Sequence, residues 1–253
     1  MNICTWNING IRARQEALPA WLDSRKPDIV VLEEVKAREE EIPESIKDFP
    51  GYRKFWNGST FKKGYSGVGL LVRDGSLDDF TCEPPPFDAE NRTLVLHAPQ
   101  FTLIGTYVPR GSGEEHYVVK LRYLADLKDF IAKLMTEGRQ VVLAGDMNVA
   151  LTEIDVHRSQ NKPGATGLRP EERSAIAAHL ELGLHDIVRE LNPDKKDLFT
   201  WWPNWKFARE RNLGWRIDCV YLTDALAAKV SGVSVDLDEK SSDHAPVSVE
   251  LAL

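Results

Sequence analysis

Acidic, amide and histidine side chains stand at the ends of several apolar segments of this sequence. The polar residues at these ends are Asn7, Glu34, Asp146, Asn148, Asp218, Asp243 and His244. In α/β enzymes, polar groups at strand ends and in the adjoining loops are where binding and catalysis concentrate. The pattern therefore predicts one polar site assembled from many strand ends, with the composition expected for metal-dependent phosphodiester hydrolysis.

Phosphodiester cleavage needs an activated water and positive charge against the oxygens that become negative. Mg²⁺ supplies this charge while it keeps most of its waters, so one or two carboxylates hold it. Glu34, at the end of the apolar run 29–32, is the first choice as ligand. Asn7 is expected to help through its amide oxygen. The alternative is that Glu34 only begins the solvated acidic stretch 33–48.

Asp146 and Asn148 directly follow the apolar run 141–144 and Gly145. The glycine permits a tight backbone turn, and the alternate spacing is expected to point both side chains the same way. An acid and an amide at one position suit the placement of a water and a phosphate oxygen. The alternative is a turn in which Asp146 caps a loop, because acidic turns are common.

His244 is the strongest acid/base or electrophile candidate, because Asp243 and Asp218 offer carboxylates that would orient it. The other histidines are expected to lack such company and are interpreted as surface or core residues; they are His97, His116, His157, His179 and His185. Tyr107 ends an apolar segment before Pro109, so its hydroxyl is expected to reach a phosphate. The alternative for Tyr107 is an amphipathic core residue.

The composition is that of a water-soluble protein, with 253 residues and a formal net charge of −7. No apolar run approaches the ~20 residues that cross a bilayer. A strand beginning at residue 2 leaves no room for a signal peptide, and three scattered cysteines suit a reducing compartment. We therefore expect one cytoplasmic domain over residues 1–253, without a membrane partner.

The charges are unevenly distributed along the chain. Segment 49–73 contains no acidic residue, and segment 201–216 carries Lys206 and three arginines against the single Glu210. This segregation permits a basic face for nucleic acid, although solvated surface is the common alternative.

Apolar segments typical of buried strands are separated by turn clusters along the whole chain. They occupy residues 28–32, 67–72, 93–98, 101–107, 141–144, 217–222 and 247–251. Helical spacing occurs near Ala17, from Val118 to Leu134 with Gly138 as a stop, and from Glu171 to Leu182 after Pro170. This alternation predicts an α/β domain.

Short motifs distributed over nearly the whole chain resemble the exonuclease III family of apurinic/apyrimidinic endonucleases, within the endonuclease/exonuclease/phosphatase superfamily. They occur in family order at residues 6–13, 32–36, 64–69, 107–109, 145–148, 153–156, 170–173, 214–218 and 242–246. Each is short, but the ordered set is specific.

The resemblance implies a four-layer α/β-sandwich, in which two mostly antiparallel β-sheets are flanked by helices. It implies Mg²⁺, for which Mn²⁺ substitutes, at Glu34 with Asn7. A second metal position would lie near Asp146, Asn148, Asp243 and His244. The carboxylate of Asp146 would activate water; Asn148, Tyr107 and His244 would bind the phosphate, and Asp218 would orient His244.

The implied partner is double-stranded DNA with abasic sites or blocked 3′ ends, bound by a monomer. An apolar pocket of Trp201, Trp215 and Ile217 would accept a flipped-out sugar without its base, because a normal nucleotide is too large for it. The implied DNA-binding positions are Arg12, Lys36, Tyr65, Arg110, Trp201, Trp205, Trp215 and Ile217, with Trp205 as a wedge into the duplex. The tryptophans are alternatively core residues, above all Trp202.

The sequence departs from the family pattern at three positions. Glu33 replaces a usual glutamine and places a second carboxylate beside Glu34. Arg110 stands where an asparagine or glutamine usually contacts phosphate, so a permanent cation should strengthen backbone binding. Cys219 replaces a common aromatic residue. Two rival functions remain: a lipid or inositol phosphatase, which would not need the tryptophans, and an inactive binding module, which would have lost catalytic residues.

Overall fold

The computed structural model describes residues 1–205 and 207–253, and it contains two six-stranded β-sheets. The first sheet comprises Asn2–Asn7 (β1), Ile29–Glu33 (β2), Tyr52–Asn57 (β3), Val68–Arg73 (β4), Val230–Val235 (β11) and Val247–Leu251 (β12). The second comprises Thr81–Glu83 (β5), Thr93–His97 (β6), Thr102–Tyr107 (β7), Val141–Asp146 (β8), Leu184–Asp186 (β9) and Asp218–Thr223 (β10).

Each sheet is antiparallel except for one central parallel pair. The strand order is β11-β12-β1-β2-β4-β3 in the first sheet and β5-β6-β7-β8-β10-β9 in the second. The parallel pairs are β1 with β2 and β7 with β8. Antiparallel strands predominate, as expected, and the two parallel pairs make each sheet mixed.

Helices flank both sheets, and Ile187, Val188 and Leu226 from two of the short ones belong to the core between the sheets. The helices are Ala17–Arg25 (α1), Glu44–Lys47 (α2), Glu114–Thr136 (α3), Pro170–Leu180 (α4), Ile187–Glu190 (α5) and Asp224–Ala227 (α6), with 3₁₀ turns at Ile11–Arg14, Glu39–Glu41 and Glu153–Asp155. Pro170 occupies the first turn of α4, where its missing N–H costs no hydrogen bond. Within residues 1–205 and 207–253, none of the helices combines the length and apolarity needed to cross a bilayer.

Three large apolar clusters separate these layers. The central cluster lies between the sheets and joins residues such as Ile3 and Val31 to Leu103 and Val142. A second packs α1 and α2 against the first sheet, and a third packs α3 and α4 against the second. The order helix, sheet, sheet, helix confirms the four-layer α/β-sandwich.

Strand alternation decides which side chains enter the space between the sheets. In β2, Val30 and Leu32 face the helices, whereas Val31 and Glu33 face the opposite sheet. Where the sheets approach most closely, a Cβ on Gly105 would lie 2.6 Å from a methyl of Val31. The predicted helix over 118–134 is confirmed, but its buried face differs, because Val118 is 65% exposed and Lys120 is buried.

Candidate active site

The two parallel strand pairs bring most of the predicted polar residues to one edge of the sandwich. Asn7 and Glu33 are paired at the carboxyl ends of β1 and β2, and Tyr107 and Asp146 are paired at the ends of β7 and β8. Asp218 pairs with Asp146 from the antiparallel neighbour β10. Because the sheets face each other, these ends converge on one position.

Glu34 and Asp146 come from different sheets and meet at a shared hydrogen-bond donor. The side-chain nitrogen of Asn7 donates to a carboxylate oxygen of Glu34 at 3.0 Å and of Asp146 at 2.9 Å. Lys36 forms an ion pair with Glu34. Although burial acts in the opposite direction, Lys36 holds the pKa of Glu34 below its usual range, so this carboxylate remains anionic.

His244 and Asp218 form a buried pair behind the carboxylates. Nδ1 of His244 lies 3.0 Å from both carboxylate oxygens of Asp218, and its Nε2 lies 4.0 Å from Oδ2 of Asp146. Burial alone would lower the pKa of His244, but the negative charge of Asp218 and its hydrogen bond raise it. Asp218 therefore orients the ring and favours the protonated imidazole, as the sequence predicts.

Asp146 and Tyr107 share a dry, negatively charged environment. Burial raises the pKa of Asp146, and the nearby carboxylate of Asp218 raises it further. Burial also raises the pKa of Tyr107, assisted by the charges of Glu34 and Asp146. Tyr107 therefore remains a neutral hydroxyl donor, and Asp146 gains basicity.

Asn148 reaches the site through a strained backbone conformation. Its φ is +50°, in the left-handed region that non-glycine residues rarely adopt. Its backbone N–H donates to Asp146 at 2.8 Å and its amide nitrogen donates to the carbonyl of Val108 at 2.8 Å. Glu34 and Lys36 also have positive φ, at +52° and +54°. Asn9, which lines the same cavity, also has a positive φ of +44°, and four such residues at one site are typical of a functional arrangement.

Gly145 lies within a strand and not in the tight turn that the sequence predicts. It lies within β8, and a Cβ there would stand 1.8 Å from the carbonyl oxygen of Thr106 on β7. The glycine therefore permits the close approach of the two parallel strands that carry Tyr107 and Asp146.

One cavity of about 420 Å³ collects most of the predicted residues. Its lining contains Glu34, Lys36, Tyr107, Arg110, Asp146, Asn148, Trp201, Trp215, Ile217, Asp243 and His244. Asn7 and Asp218 lie behind this lining as fully buried supports.

Trp201, Trp215 and Ile217 form an aromatic wall on one side of the cavity. The two indole rings meet edge to face, with centroids 6.0 Å apart. Their ring N–H groups are fixed, since Trp201 donates to Asp243 at 3.0 Å and Trp215 donates to Gln160 at 2.8 Å. Trp202 is buried in a separate core cluster, which confirms its interpretation as a core residue.

The structure places three predicted DNA-binding residues outside the cavity. Arg12 is half exposed and forms an ion pair with Glu41. Tyr65 donates to Glu90 at 3.3 Å. Trp205 lies in a neighbouring cavity of about 560 Å³, which shares Asn9 and Asp243 with the first. Lys206, part of the predicted basic segment, lies outside the described residues.

Sequence reasoning missed two residues that support the site. Asn9 donates to Asp243 at 2.9 Å and accepts from Lys36 at 2.6 Å, and the signal was its place in the motif at residues 6–13. Arg92 is buried, and its guanidinium lies 5.1 Å from the ring centre of Tyr107 and 5.0 Å from that of Tyr65. No pattern near Arg92 indicated this stacking.

Three sequence expectations require correction. Asn7 presents its amide nitrogen to Glu34, because its amide oxygen accepts from the N–H of Asn9 at 3.0 Å. Glu33 does not line the cavity, since strand alternation points it between the sheets, where it contacts the hydroxyl of Thr5. Burial raises the pKa of Glu33 well above the usual range, which favours the neutral acid.

The third correction concerns His185, which does have carboxylate neighbours. Its Nδ1 lies 3.0 Å from Glu190 and its Nε2 lies 2.6 Å from Asp224. Asp224 is 39 positions away in the sequence, so no local pattern showed it.

The donor atoms of the cavity suit a hard divalent cation. Single ligand atoms of Glu34, Asp146 and His244 lie within 4.8 Å of one another, and within residues 1–205 and 207–253 no other histidine, cysteine and carboxylate cluster meets this criterion. Two carboxylates that converge on the one amide of Asn7 repel each other, and a cation between them would relieve this repulsion. Oxygen donors with space for waters fit Mg²⁺.

Comparison with known proteins places this geometry in a family. The model of the endonuclease/exonuclease/phosphatase family matches residues 4–244. The chain is 35% identical over 260 residues to the DNA repair nuclease APEX1 of Danio rerio, covering all of this chain and 83% of that protein. It is 30% identical over 253 residues to the exodeoxyribonuclease of Bacillus subtilis, covering 98% of both.

Solved structures agree with this assignment. An AP endonuclease from Archaeoglobus fulgidus superimposes with a TM-score of 0.88 at 30% identity, and both chains are fully covered. A 3′ phosphatase from Neisseria, bound to a product DNA hairpin, gives a TM-score of 0.89 at 28% identity, again with full coverage of both chains. The protein described here is therefore a member of the endonuclease/exonuclease/phosphatase family, of the exonuclease III and AP endonuclease type.

Proposed function

We propose that this protein is a Mg²⁺-dependent DNA repair hydrolase that cleaves the phosphodiester 5′ to abasic sites and trims blocked 3′ ends. The observation that carries the proposal is one cavity that joins the carboxylate and histidine cluster to the aromatic wall of Trp201, Trp215 and Ile217. A phosphatase for lipid or inositol substrates would not need such a wall. The substrate is double-stranded DNA, bound by a monomer.

The residues around Asp146 have the arrangement needed for attack by water. Its raised pKa makes Asp146 a suitable general base, and the N–H of Asn148 holds one of its oxygens in place. Protonated His244 donates from Nε2 to a phosphate oxygen, while Asp218 stabilises the charge on the ring. Neutral Tyr107 supplies a further donor to the phosphate. Asn148 would supply another through the amide N–H that does not bond to Val108, in place of its longer contact with Asp146.

The metal ion would be held by Glu34, with Asp146 close enough to contribute a further ligand. His244 lies in the same cluster, but it would ligate the ion only as the neutral imidazole, because the protonated ring offers no lone pair. Asp243 and Asn148 line the same cavity and would serve a second metal position. When bound, the ion supplies Lewis acidity and a neutralising charge for the developing phosphate oxyanion. Mn²⁺ prefers similar oxygen ligands and should substitute.

The aromatic wall would select the substrate by size. A deoxyribose without a base fits an apolar pocket that excludes an intact nucleotide, and flipping costs least where base pairing is already lost. Because Asp243 and Gln160 fix both indoles, the pocket needs little rearrangement on binding. Lys36 and Arg110 would contact the DNA backbone at the cavity, and Arg12, Tyr65 and Trp205 would contact the duplex outside it.

The decisive test is cleavage of a labelled duplex with one central abasic analogue, beside its undamaged twin, with Mg²⁺ and with EDTA. We expect metal-dependent incision at the lesion and slower metal-dependent digestion from 3′ ends. Digestion from 3′ ends without incision would reject the endonuclease part of the proposal. Absence of cleavage of both duplexes, in Mg²⁺ and in Mn²⁺, would reject the DNA substrate.

A further inference from the structure

Arg110 is an exposed cation on the rim of the cavity, and its guanidinium is available for a ligand. It lines the cavity beside Tyr107, Asn148 and Ser112. Within residues 1–205 and 207–253, its guanidinium makes no hydrogen bond, ion pair or ring contact. The other positively charged residues of the lining already have partners, since Lys36 contacts Glu34 and Asn9 and protonated His244 contacts Asp218. Arg110 therefore has five unused N–H donors at the lining of a site that is rich in carboxylates.

The buried ammonium group of Lys120 binds the backbone of Arg110. Nζ of Lys120 donates to the carbonyl of Arg110 at 3.4 Å and to that of Asn148 at 2.9 Å. A Cβ on the following Gly111 would stand 2.8 Å from Cδ of Lys120, so the loop lies directly on this side chain. Lys120 thus fixes the backbone of Arg110 relative to that of Asn148, the residue proposed to bind the phosphate.

We infer that Arg110 is a specificity-determining residue that favours a terminal 3′-phosphate monoester over an internal phosphodiester. The inference rests on the proposed function, because it assumes that phosphate groups of DNA occupy this cavity. A diester carries one negative charge and two non-bridging oxygens. A terminal monoester carries nearly two charges at neutral pH and three free oxygens. A guanidinium can bind the third oxygen of a monoester while the other donors of the site bind the remaining two. Its permanent positive charge also favours the additional negative charge of the monoester.

The reaction on this substrate requires no group beyond those of the proposed function. Water adds its oxygen to phosphorus, and the bond between phosphorus and O3′ breaks. The leaving oxygen takes up a proton, so the products are a 3′-hydroxyl end and inorganic phosphate.

The test compares Arg110→Gln with the unmodified protein on three duplexes of identical sequence, in Mg²⁺. One carries a 3′-phosphate at a nick, one a 3′-hydroxyl at the nick, and one an internal abasic analogue. We expect kcat/KM for the 3′-phosphate to fall about 10- to 100-fold, the loss typical of a charge-assisted bidentate contact. The ratio of kcat/KM for the monoester to that for either diester should fall at least tenfold.

Arg122→Gln is the matched control, because it removes the same charge from an exposed site on α3 that does not line the cavity. It should leave kcat/KM unchanged on all three duplexes. Below the second pKa of the phosphate, about 6, the monoester loses a charge. The fold loss of kcat/KM that Arg110→Gln causes on the 3′-phosphate duplex should therefore be smaller there. Equal losses on all three duplexes, or no loss on the monoester, would overturn the inference alone. An unmodified protein inactive on every duplex would instead overturn the proposed function.

Discussion

At the scale of single residues, Asp146 is the residue that we propose as the general base. It is buried, it lies between Asn7 and the ring of His244, and its pKa is raised. We expect Asp146→Asn to lower kcat about 10²- to 10⁴-fold, the range for loss of general base catalysis. DNA binding, measured by anisotropy in EDTA, should persist, because the amide keeps the shape of the side chain. Cleavage at the unmodified rate would exclude Asp146 from the mechanism.

Trp215 should affect the two proposed activities unequally. Its ring forms part of the wall that would receive the abasic sugar, whereas we expect trimming of an ordinary 3′ nucleotide to depend less on that pocket. We expect Trp215→Ala to reduce kcat/KM for abasic incision about 10-fold more than for 3′ trimming, as expected for losing 1–2 kcal/mol of contact in one complex only. Both activities are measured on the same preparation, so partial unfolding would lower both alike, and such a uniform loss would contradict the pocket.

Sequence reasoning identified the residues of the site better than their orientations. Glu34, Asp146 and His244 could be predicted because each stands at the end of an apolar run, and strand ends meet at a sheet edge. The directions of Asn7 and Glu33 could not, since they depend on which face of a strand points at the opposite sheet. The carboxylate partner Asp224 of His185 was equally inaccessible, because it is supplied by a distant segment.

At the scale of elements, the helix α3 carries a buried charge that its apolar periodicity conceals. Lys120 and Glu172 are fully buried and lie 2.6 Å apart, and Glu172 also accepts from the N–H groups of Gly167 and Arg169 at 2.6 Å and 3.0 Å. This pair joins α3 and α4 to the loops that carry Arg110 and Asn148. A pattern that counts only apolar residues assigns Val118 to the core and cannot find a lysine paired with a glutamate 52 positions away.

Removing one partner of this pair should be costly. Lys120→Met would leave Glu172 charged and buried, so we expect the free energy of unfolding to fall by about 3–5 kcal/mol. The double variant Lys120→Met with Glu172→Gln should recover a large part of this loss, because no unpaired charge then remains. Urea denaturation of both variants measures the difference. If the single variant is as stable as the unmodified protein, the ion pair does not hold these loops.

His185 connects the end of β9 to α5 and α6 through two carboxylates, and it should make stability depend on pH. Its hydrogen bonds to Asp224 and Glu190 raise its pKa above the usual 6.5. A raised folded-state pKa stabilises the protein fully below pH 6.5, and this contribution disappears as the pH rises through the raised value. His185→Gln should therefore be less stable than the unmodified protein at pH 5.5–6, by no more than the ~1 kcal/mol of an exposed ion pair. A difference in urea midpoint that is equal at pH 6 and pH 9 would contradict this origin.

At the scale of the whole molecule, the apolar pattern predicted an α/β domain and the family resemblance implied the sandwich, but the pattern did not identify all of its strands. The seven apolar segments it identified are the strands that contribute most to the central core. The strands β3, β5, β9 and β11 were not recognised. They are short or half exposed, so they mix polar and apolar residues, and pairing with a neighbouring strand rather than an apolar pattern defines them.

The central core leads to a prediction about how the molecule unfolds. One apolar cluster contains residues from both sheets, and the chain crosses between the sheets twice, since β11 and β12 return to the first sheet after β10. Neither sheet can therefore lose its inner face without exposing that of the other, so residues 1–253 should unfold as a single domain. We expect tryptophan fluorescence and far-ultraviolet circular dichroism to give coincident urea transitions, with one midpoint.

The tryptophans are informative because Trp6 and Trp21 report on the first sheet, while Trp201 and Trp215 report on the site between the sheets. Two separated transitions would show that the halves of the sandwich are independent folding units, and the site at their shared edge would then be lost in the first of them.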